Sequence, residues 1–303
     1  MNLSDYVSGL KDPIRPFGSE FDVLPFYALV GSRLAGFLGD REIATKTWLP
    51  KGPLPMFLRR GSKDEPLSAR ELAGVTPEFV ELRRNKLDEV RGKLTPLQQK
   101  IWRYFVPRKL ADFFYATNSE KPGKPIDRVF FDLDRGKGIT AVQAQQAAML
   151  LAELIVRDGF PKPFCCWTGN SFHLYILLEK PRPAEYYEER FQFSKNDPIA
   201  TFTGKWAAEI RKQVSFAVEG GHEKVPNVLA IDPSQTPSGK LARVPLGSLH
   251  MSDAKTVNGV SIPLELKMLN DKKLVGELGE YTPARVVKEL GALARRLPIV
   301  FES

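Results

Sequence analysis

Two aspartates, Asp132 and Asp134, interrupt the otherwise apolar run VFFDLD at residues 129–134. Alternate side chains of an extended strand share a face, so both carboxylates point one way with their Cα atoms roughly 7 Å apart. A pair so placed can share two divalent ions held about 3.5–4 Å apart, the arrangement of two-metal phosphoryl chemistry. Two like charges on so apolar a strand are costly unless cations compensate them. The Gly136-Lys137-Gly138 turn that follows lets backbone approach a ligand closely. The plain alternative is a strand that ends in a solvated acidic loop. Haloacid-type phosphatases place a DxDGT-like turn near the N-terminus, whereas this pair lies mid-chain and continues Arg135-Gly136. Metal-dependent glycosyltransferases need a nucleotide-sugar domain ahead of their DxD, and here a helical, basic stretch comes first.

The chain has 3 histidines. His173 follows a tight turn in WTGNSFHLYILL, and Ser171 and His173 alternate onto one face of the strand after it. A Gly-Asn turn, a hydroxyl and an imidazole aimed together can cradle phosphate oxygens. A satisfied structural histidine is the competing reading. Asp232 closes the strand-like NVLAID and is followed by the turn-rich PSQTPSG, where a turn-forming role competes. Downstream, LARVPLGSLH gathers Arg243, Ser248 and His250; the arginine offers a fixed cationic fork for phosphate, with the other two as donors. His222, in Glu-Gly-Gly-His-Glu, reads as a surface residue.

In order these motifs are DxD, SxH and an apolar-Asp followed by an Arg…His stretch. This resembles the archaeo-eukaryotic primase superfamily of small primase subunits, primase–polymerases and end-joining polymerase domains. The matching residues are Asp132 and Asp134, Ser171 and His173, and Asp232, with LARVPLGSLH similar to the superfamily's Arg/Lys-Ser-Pro…Ser-x-His element. DRVFFDLDRG also resembles the end-joining D-R-hydrophobic-DLD-P-G. The likeness spans residues 128–264 and departs in three places. The SxH turn is short and lacks an arginine, a single Cys165-Cys166 pair leaves no zinc insertion, and Asp-Pro-Ser-Gln stands where end-joining enzymes have Asp-Tyr-Asn-Gln.

The resemblance implies an α/β (α+β) primase-type catalytic core with an RRM-like mixed sheet, and a template-directed nucleotidyltransferase acting at a 3′-hydroxyl. It implies Mg²⁺ or Mn²⁺ between Asp132, Asp134 and Asp232, no zinc, and a nucleoside triphosphate held by Ser171, His173, Arg243, Ser248 and His250. DNA template and primer are the expected partners, with a primase large subunit or another replication or repair protein besides. A gap-filling end-joining polymerase is the alternative within the superfamily. A nucleic-acid-binding protein that kept the fold without catalysis is the alternative outside it.

The elements that must position these residues change texture along the chain. Residues 1–116 read as mainly helical and 117–303 as the catalytic core, with TNSEKPGKPID (117–127) as linker or active-site loop. LPFYALVGSRLAGFL (24–38) has helical apolar spacing, and helices are expected over 77–91, 96–105, 138–159, 183–193, 199–218 and from Thr282-Pro283 to Leu297. Short extended stretches are expected at TKTWLP from Thr45 and LPMFLRRG from Leu54, and strands at FCCW, FHLYILL and NVLAID, with a hairpin turn at Asn258-Gly259. Residues 41–110 carry 16 Lys+Arg and 8 Asp+Glu, a surplus that equals the +8 of the whole chain. That surplus suits a surface tracking phosphates, with Arg59, Arg60, Arg83 and Arg84 as its expected contacts; Trp48, Phe57 and Trp102 read first as core residues and second as stacking candidates. Solvated helices are the bland alternative. The start of the chain shows no signal pattern and no apolar run reaches membrane-spanning length, so a reducing, cytoplasmic setting is expected.

Overall fold

The apolar 24–38 pattern forms the helix α2 (Leu24–Leu38), preceded by the short α1 (Asp5–Ser8). The computed structural model describes residues 2–8, 22–48, 65–105, 111–252 and 257–300, and the backbone alone of 56–60. Two discontinuous units emerge. The first comprises residues 1–115, 243–262 and 279–303, and the second 116–242 and 263–278. A single cut at residue 116 therefore misses two later segments that return to the N-terminal part.

In the first unit, α2 buries Phe26, Tyr27, Val30, Leu34, Phe37 and Leu38, and a Cβ on Gly31 would come within 3.0 Å of Leu72 in the 3₁₀ turn Arg70–Gly74. Strands β1 (Ile43–Trp48) and β2 (Met56–Arg60) form an antiparallel hairpin, and β1 pairs on its other side with β3 (Asp112–Ala116). The N-terminal region thus carries a sheet beside its helices. Its four-stranded sheet runs β2-β1-β3-β9, the chain passing back into this unit within β9 (Leu241–Arg243). The expected 77–91 helix breaks into α3 (Pro77–Leu82) and α4 (Leu87–Val90), because the Asn85 side chain donates to the Leu82 carbonyl at 3.2 Å and ends the first piece. Helix α5 (Pro96–Tyr104) opens on a full Thr95/Gln98 capping box. Asn258-Gly259 does not form the turn: it lies inside β11 (Val257–Val260), with Gly259 opposite His250 of β10 (Leu249–Met251) where the register shifts. A glycine at such an irregularity marks a bulge rather than a corner.

The second unit is built on a six-stranded sheet in the order β12-β5-β6-β4-β8-β7. Its centre is β4 (Ile126–Arg135), flanked antiparallel by β6 (Phe172–Arg182) and β8 (Val228–Asp232). Outside these lie β5 (Phe164–Trp167), β7 (Ala217–Gly220) and β12 (Ile262–Leu264). Central position explains the apolar run Val129–Phe131: a strand covered on both faces has no wet side to alternate with. Helix α6 (Ala141–Arg157) starts at a Thr140/Gln143 capping box and presents Ala144, Ala147, Ala148 and Leu151 inward. Small side chains on that face bring it close to the sheet. Around Phe131 an edge-to-face cluster of Phe191 and Trp206 joins the end of α7 (Glu185–Arg190) to α8 (Phe202–Arg211). The remaining helices are α9 (Leu274–Gly279) and α10 (Pro283–Ala294). Among the described residues no helix is long and apolar enough to cross a membrane.

The structure corrects the expected cationic surface at Arg83. Its side chain is 1% exposed and donates to the Asp22 carboxylate from Nε at 2.6 Å and Nη2 at 3.2 Å, and to the Phe105 carbonyl at 2.7 Å. The guanidinium lies 5.1 Å from the Trp102 ring centroid, which makes that tryptophan part of the same packing. A charge so enclosed is spent inside the unit. Arg83→Met should therefore leave Asp22 buried without its cation and lower stability by about 3–5 kcal/mol. Urea unfolding reads this directly; an unchanged midpoint would refute the structural role.

Candidate active site

The register of the second unit places one residue of each motif in a single row. Asp132 is the ladder partner of Asp232 on β8 and of His173 on β6, so the three stand side by side across three neighbouring strands. Directly paired residues of an antiparallel ladder have Cα atoms about 4.5–5.5 Å apart and share a face. Asp134, two residues on, joins the same face. The sheet thus brings together four of the expected site residues.

His173 is 4% exposed; its Nε2 lies 3.4 Å from Asp132 Oδ1, and its buried Nδ1 has no hydrogen-bond partner. Phe130 meets the ring edge-on with centroids 4.7 Å apart, fixing its plane. Ser171 is used differently from expectation. Its hydroxyl donates to the Leu133 carbonyl and its backbone N–H to Thr168 Oγ1 at 2.9 Å, so it fastens the turn to β4. Gly169, at φ +91°, supplies the left-handed residue that this turn needs. Arg135, the residue after the acidic pair, donates to Asn170 Oδ1 in the same turn and to the Ile139 carbonyl at 3.2 Å.

Electrostatics single out the acids. Burial and then the neighbouring Asp132 charge push the Asp134 carboxyl up to about 6, against the pull of Lys224, whose Nζ is 2.7 Å away. Burial also raises Asp232, offset by the Ser234 N–H that donates to its Oδ1 at 2.8 Å. Burial works against the charge of Lys224, yet its bond to Asp134 lifts it above the ordinary lysine value. Lys224 was not singled out in the sequence, and Gly136 was the available signal. A Cβ at Gly136 would sit 1.8 Å from the Val225 carbonyl oxygen, so only glycine lets the 221–227 loop lie against the end of β4. The Gly136 N–H donates to Val228 O at 2.9 Å and the Asn227 N–H to Lys137 O at 2.8 Å, which seals that contact.

A cavity of about 580 Å³ opens beside Asp232, lined among others by Tyr187, Phe193, His222 and Ser234. His222 is exposed, as expected, but it borders this cavity. Among the described residues no group of three or more His, Cys, Asp or Glu side chains is drawn together into a metal-holding arrangement. The donor chemistry nevertheless fits a hard divalent cation: the three acids offer only oxygen, and the repulsion that raises Asp134 is what such a cation relieves.

The remaining expected residues lie in the first unit. Arg243 is 8% exposed, with Nη2 3.1 Å from Asp112 Oδ2 and Nη1 donating to the Leu249 carbonyl at 3.0 Å and to Ser248 Oγ at 3.3 Å. Ser248 Oγ accepts from the Phe113 N–H at 2.9 Å, while His250 sits half-buried on β10. Asp112, which the sequence did not flag, is pushed up to about 6 by burial and pulled down by Arg243. Arg84 is exposed and 3.1 Å from Glu81; the side chains of Arg59 and Arg60 lie outside the described residues.

No protein-family model matches the sequence, and no curated protein matches it. Among solved structures, the polymerase domain of Mycobacterium tuberculosis Ligase D, in complex with DNA, is similar with a TM-score of 0.54. The likeness covers 91% of this chain and 92% of that one at 19% identity. The chain shares the mixed α+β fold of that polymerase domain. Within it, the Asp232–Asp132–His173 row falls on the three central strands of the second unit's sheet.

Two expectations follow from the charge balance on this sheet. Lys224→Met should raise the Asp134 pKa above about 6, which a carbon-detected NMR titration of the carboxyl reads. A carboxyl raised in the folded state binds its proton more tightly there than in the unfolded chain, so this group's contribution to stability rises as pH falls from about 6 toward 3.8. Gly136→Ala should displace the 221–227 loop and cost about 1–3 kcal/mol; an unaltered urea midpoint would show that the contact bears no strain.

Proposed function

We propose that the chain is a template-directed nucleotidyltransferase that extends a nucleic-acid 3′-hydroxyl from nucleoside triphosphates. The single observation that carries this reading is the paired row of Asp232, Asp132 and His173, with Asp134 on the same face. The likeness in fold to a polymerase domain supports it.

Asp132, Asp134 and Asp232 would hold Mg²⁺ or Mn²⁺, which when bound supplies the positive charge that lowers the barrier to phosphoryl transfer. His173 keeps the Asp132 carboxylate in place through Nε2 and presents its free Nδ1 as a further hydrogen-bonding group. The Ser171 hydroxyl, committed to Leu133, holds the turn that sets the imidazole. Arg135 holds the other side of that turn through Asn170. The cavity beside Asp232 gives a nucleotide sugar and base a place next to the acids without exposing them fully to water. The triphosphate roles of Arg243, Ser248 and His250 stand as part of the proposal, as does phosphate contact by Arg59, Arg60 and Arg84.

Extension of an existing strand is favoured over starting one, because the similar solved structure is a polymerase domain bound to DNA. A non-catalytic binding protein would have no need to keep three partly buried acids that repel one another. The deciding experiment supplies labelled nucleoside triphosphates and Mn²⁺ on template with and without a primer. Primed template should be extended, and Asp132→Ala should lose extension by at least about 10³-fold while binding DNA as before. Full extension by that variant would overturn the assignment, and synthesis on unprimed template would move the chain to the primases.

A further inference from the structure

The segment 117–127 has the composition of a linker, yet it is pinned at every turn. The Asn118 amide nitrogen donates to the carbonyls of Arg128 at 3.0 Å and Thr236 at 2.5 Å, and its oxygen accepts from the N–H groups of Asp127 at 2.9 Å and Arg128 at 3.1 Å. A second segment, 233–240, is sewn to the first. Ser238 Oγ donates to Lys124 O at 2.9 Å, the Thr117 N–H to Lys240 O at 3.0 Å, and the Gly239 N–H to Ser119 O at 2.6 Å. Gly239 has φ +90°, and a Cβ there would come within 3.0 Å of Pro122. The pair is also fixed to the site strand: Thr236 Oγ1 accepts from the Phe130 N–H at 2.9 Å and donates to Phe130 O at 3.1 Å, two residues before Asp132. The second segment starts immediately after Asp232.

Three exposed lysines, Lys121, Lys124 and Lys240, decorate this double loop, and none has a carboxylate partner among the described residues. The double loop carries two acids: Asp127 is engaged by Arg128 Nε at 3.0 Å, and Glu120, beside Lys121, is half-buried. We infer that the double loop is a phosphodiester-binding surface that guides a nucleic-acid strand to or from the row of acids. This rests on the polymerase reading and deepens it by naming where the strand runs. The ammonium groups are compact point charges suited to backbone phosphates without regard to sequence. Their loops are ordered beforehand, so binding does not have to fix the backbone. From Asp132 back to Ile126 the strand beneath measures roughly 20 Å, long enough for several phosphates. No large apolar side chain is exposed within 117–127 or 233–240, which disfavours a protein segment, since such interfaces rely on buried aromatic or aliphatic anchors.

The test compares two triple variants of equal charge loss. One is Lys121→Gln, Lys124→Gln and Lys240→Gln; the control is Lys162→Gln, Lys272→Gln and Lys273→Gln, all exposed elsewhere in the same unit. Fluorescence anisotropy with a single-stranded oligonucleotide and with a primed template is followed across a salt series, after matching thermal melts. The loop triple should bind about 10-fold more weakly at 0.1 M salt, with a log–log salt slope shallower by about two, and the control should match the wild type. Indistinguishable triples would overturn the inference even if the protein extends primers. Loop-dependent DNA binding without nucleotide incorporation would uphold it and sink the polymerase reading instead. Equal loss of affinity for poly-glutamate would show a generic anion surface and overturn it too. A wild type that binds no DNA would remove both.

Discussion

Holding several negative charges in register on a buried sheet is the constraint around which the second unit is arranged. The backbone ladder decides where Asp132, Asp134 and Asp232 stand, because hydrogen-bonded strands cannot slide without moving every side chain to the other face. Repulsion therefore cannot be relieved by drifting apart. It is relieved locally, by the Lys224 ammonium on Asp134, the Ser234 N–H on Asp232 and the His173 imidazole on Asp132. Each compensating group comes from a different segment, and the glycines at 136 and 169 exist to let two of those segments in.

The first unit handles its charge differently. Many of the basic residues between 41 and 110 have an acid close at hand: Arg70 with Asp40, Arg84 with Glu81, Arg91 with Asp88, Lys100 with Glu71 and Arg103 with Glu65, although all of these acids except Asp40 are already counted within the stretch. Exposed pairs of this sort add little to stability but reduce the field that a distant polyanion would feel. Arg83 and Arg243 go further and carry their charge into the core, each against one aspartate. A formal charge counted along a sequence thus overstates what the surface offers, whereas the unpaired lysines over the second unit's sheet come from a stretch whose counted charge is unremarkable.

Much of this was legible in the residues themselves. The apolar run around Asp132 and Asp134 announced a central strand, NVLAID announced its neighbour, and threonine–proline pairs marked the starts of α3, α5 and α10. What stayed hidden was long-range. Asp112 and Arg243 are far apart in sequence and neither has a local signature of burial; Arg83 sits in a run of charged residues that reads as wet. Lys224 was invisible for a similar reason, since only the clearance at Gly136 reveals that its loop touches β4. The Asn258-Gly259 pair misled because the same dipeptide that turns a hairpin can also sit at a bulge.

The discontinuity of the two units bears on how the chain acquires its shape during synthesis. A ribosome releases the residues of the first unit well before Arg243–Ile262 and Gly279 onward, which that unit needs to complete its packing. The body of the second unit, Ala116–Ala242, emerges as one uninterrupted stretch and lacks only Pro263–Leu278. With emergence at about 5–20 residues per second, the earliest-made segment waits roughly 10–40 seconds for its last partners. The later-made sheet can close while α2 still lacks α10. The part of the protein that carries the acids can therefore have all its segments in hand first, although its body is the second to be made.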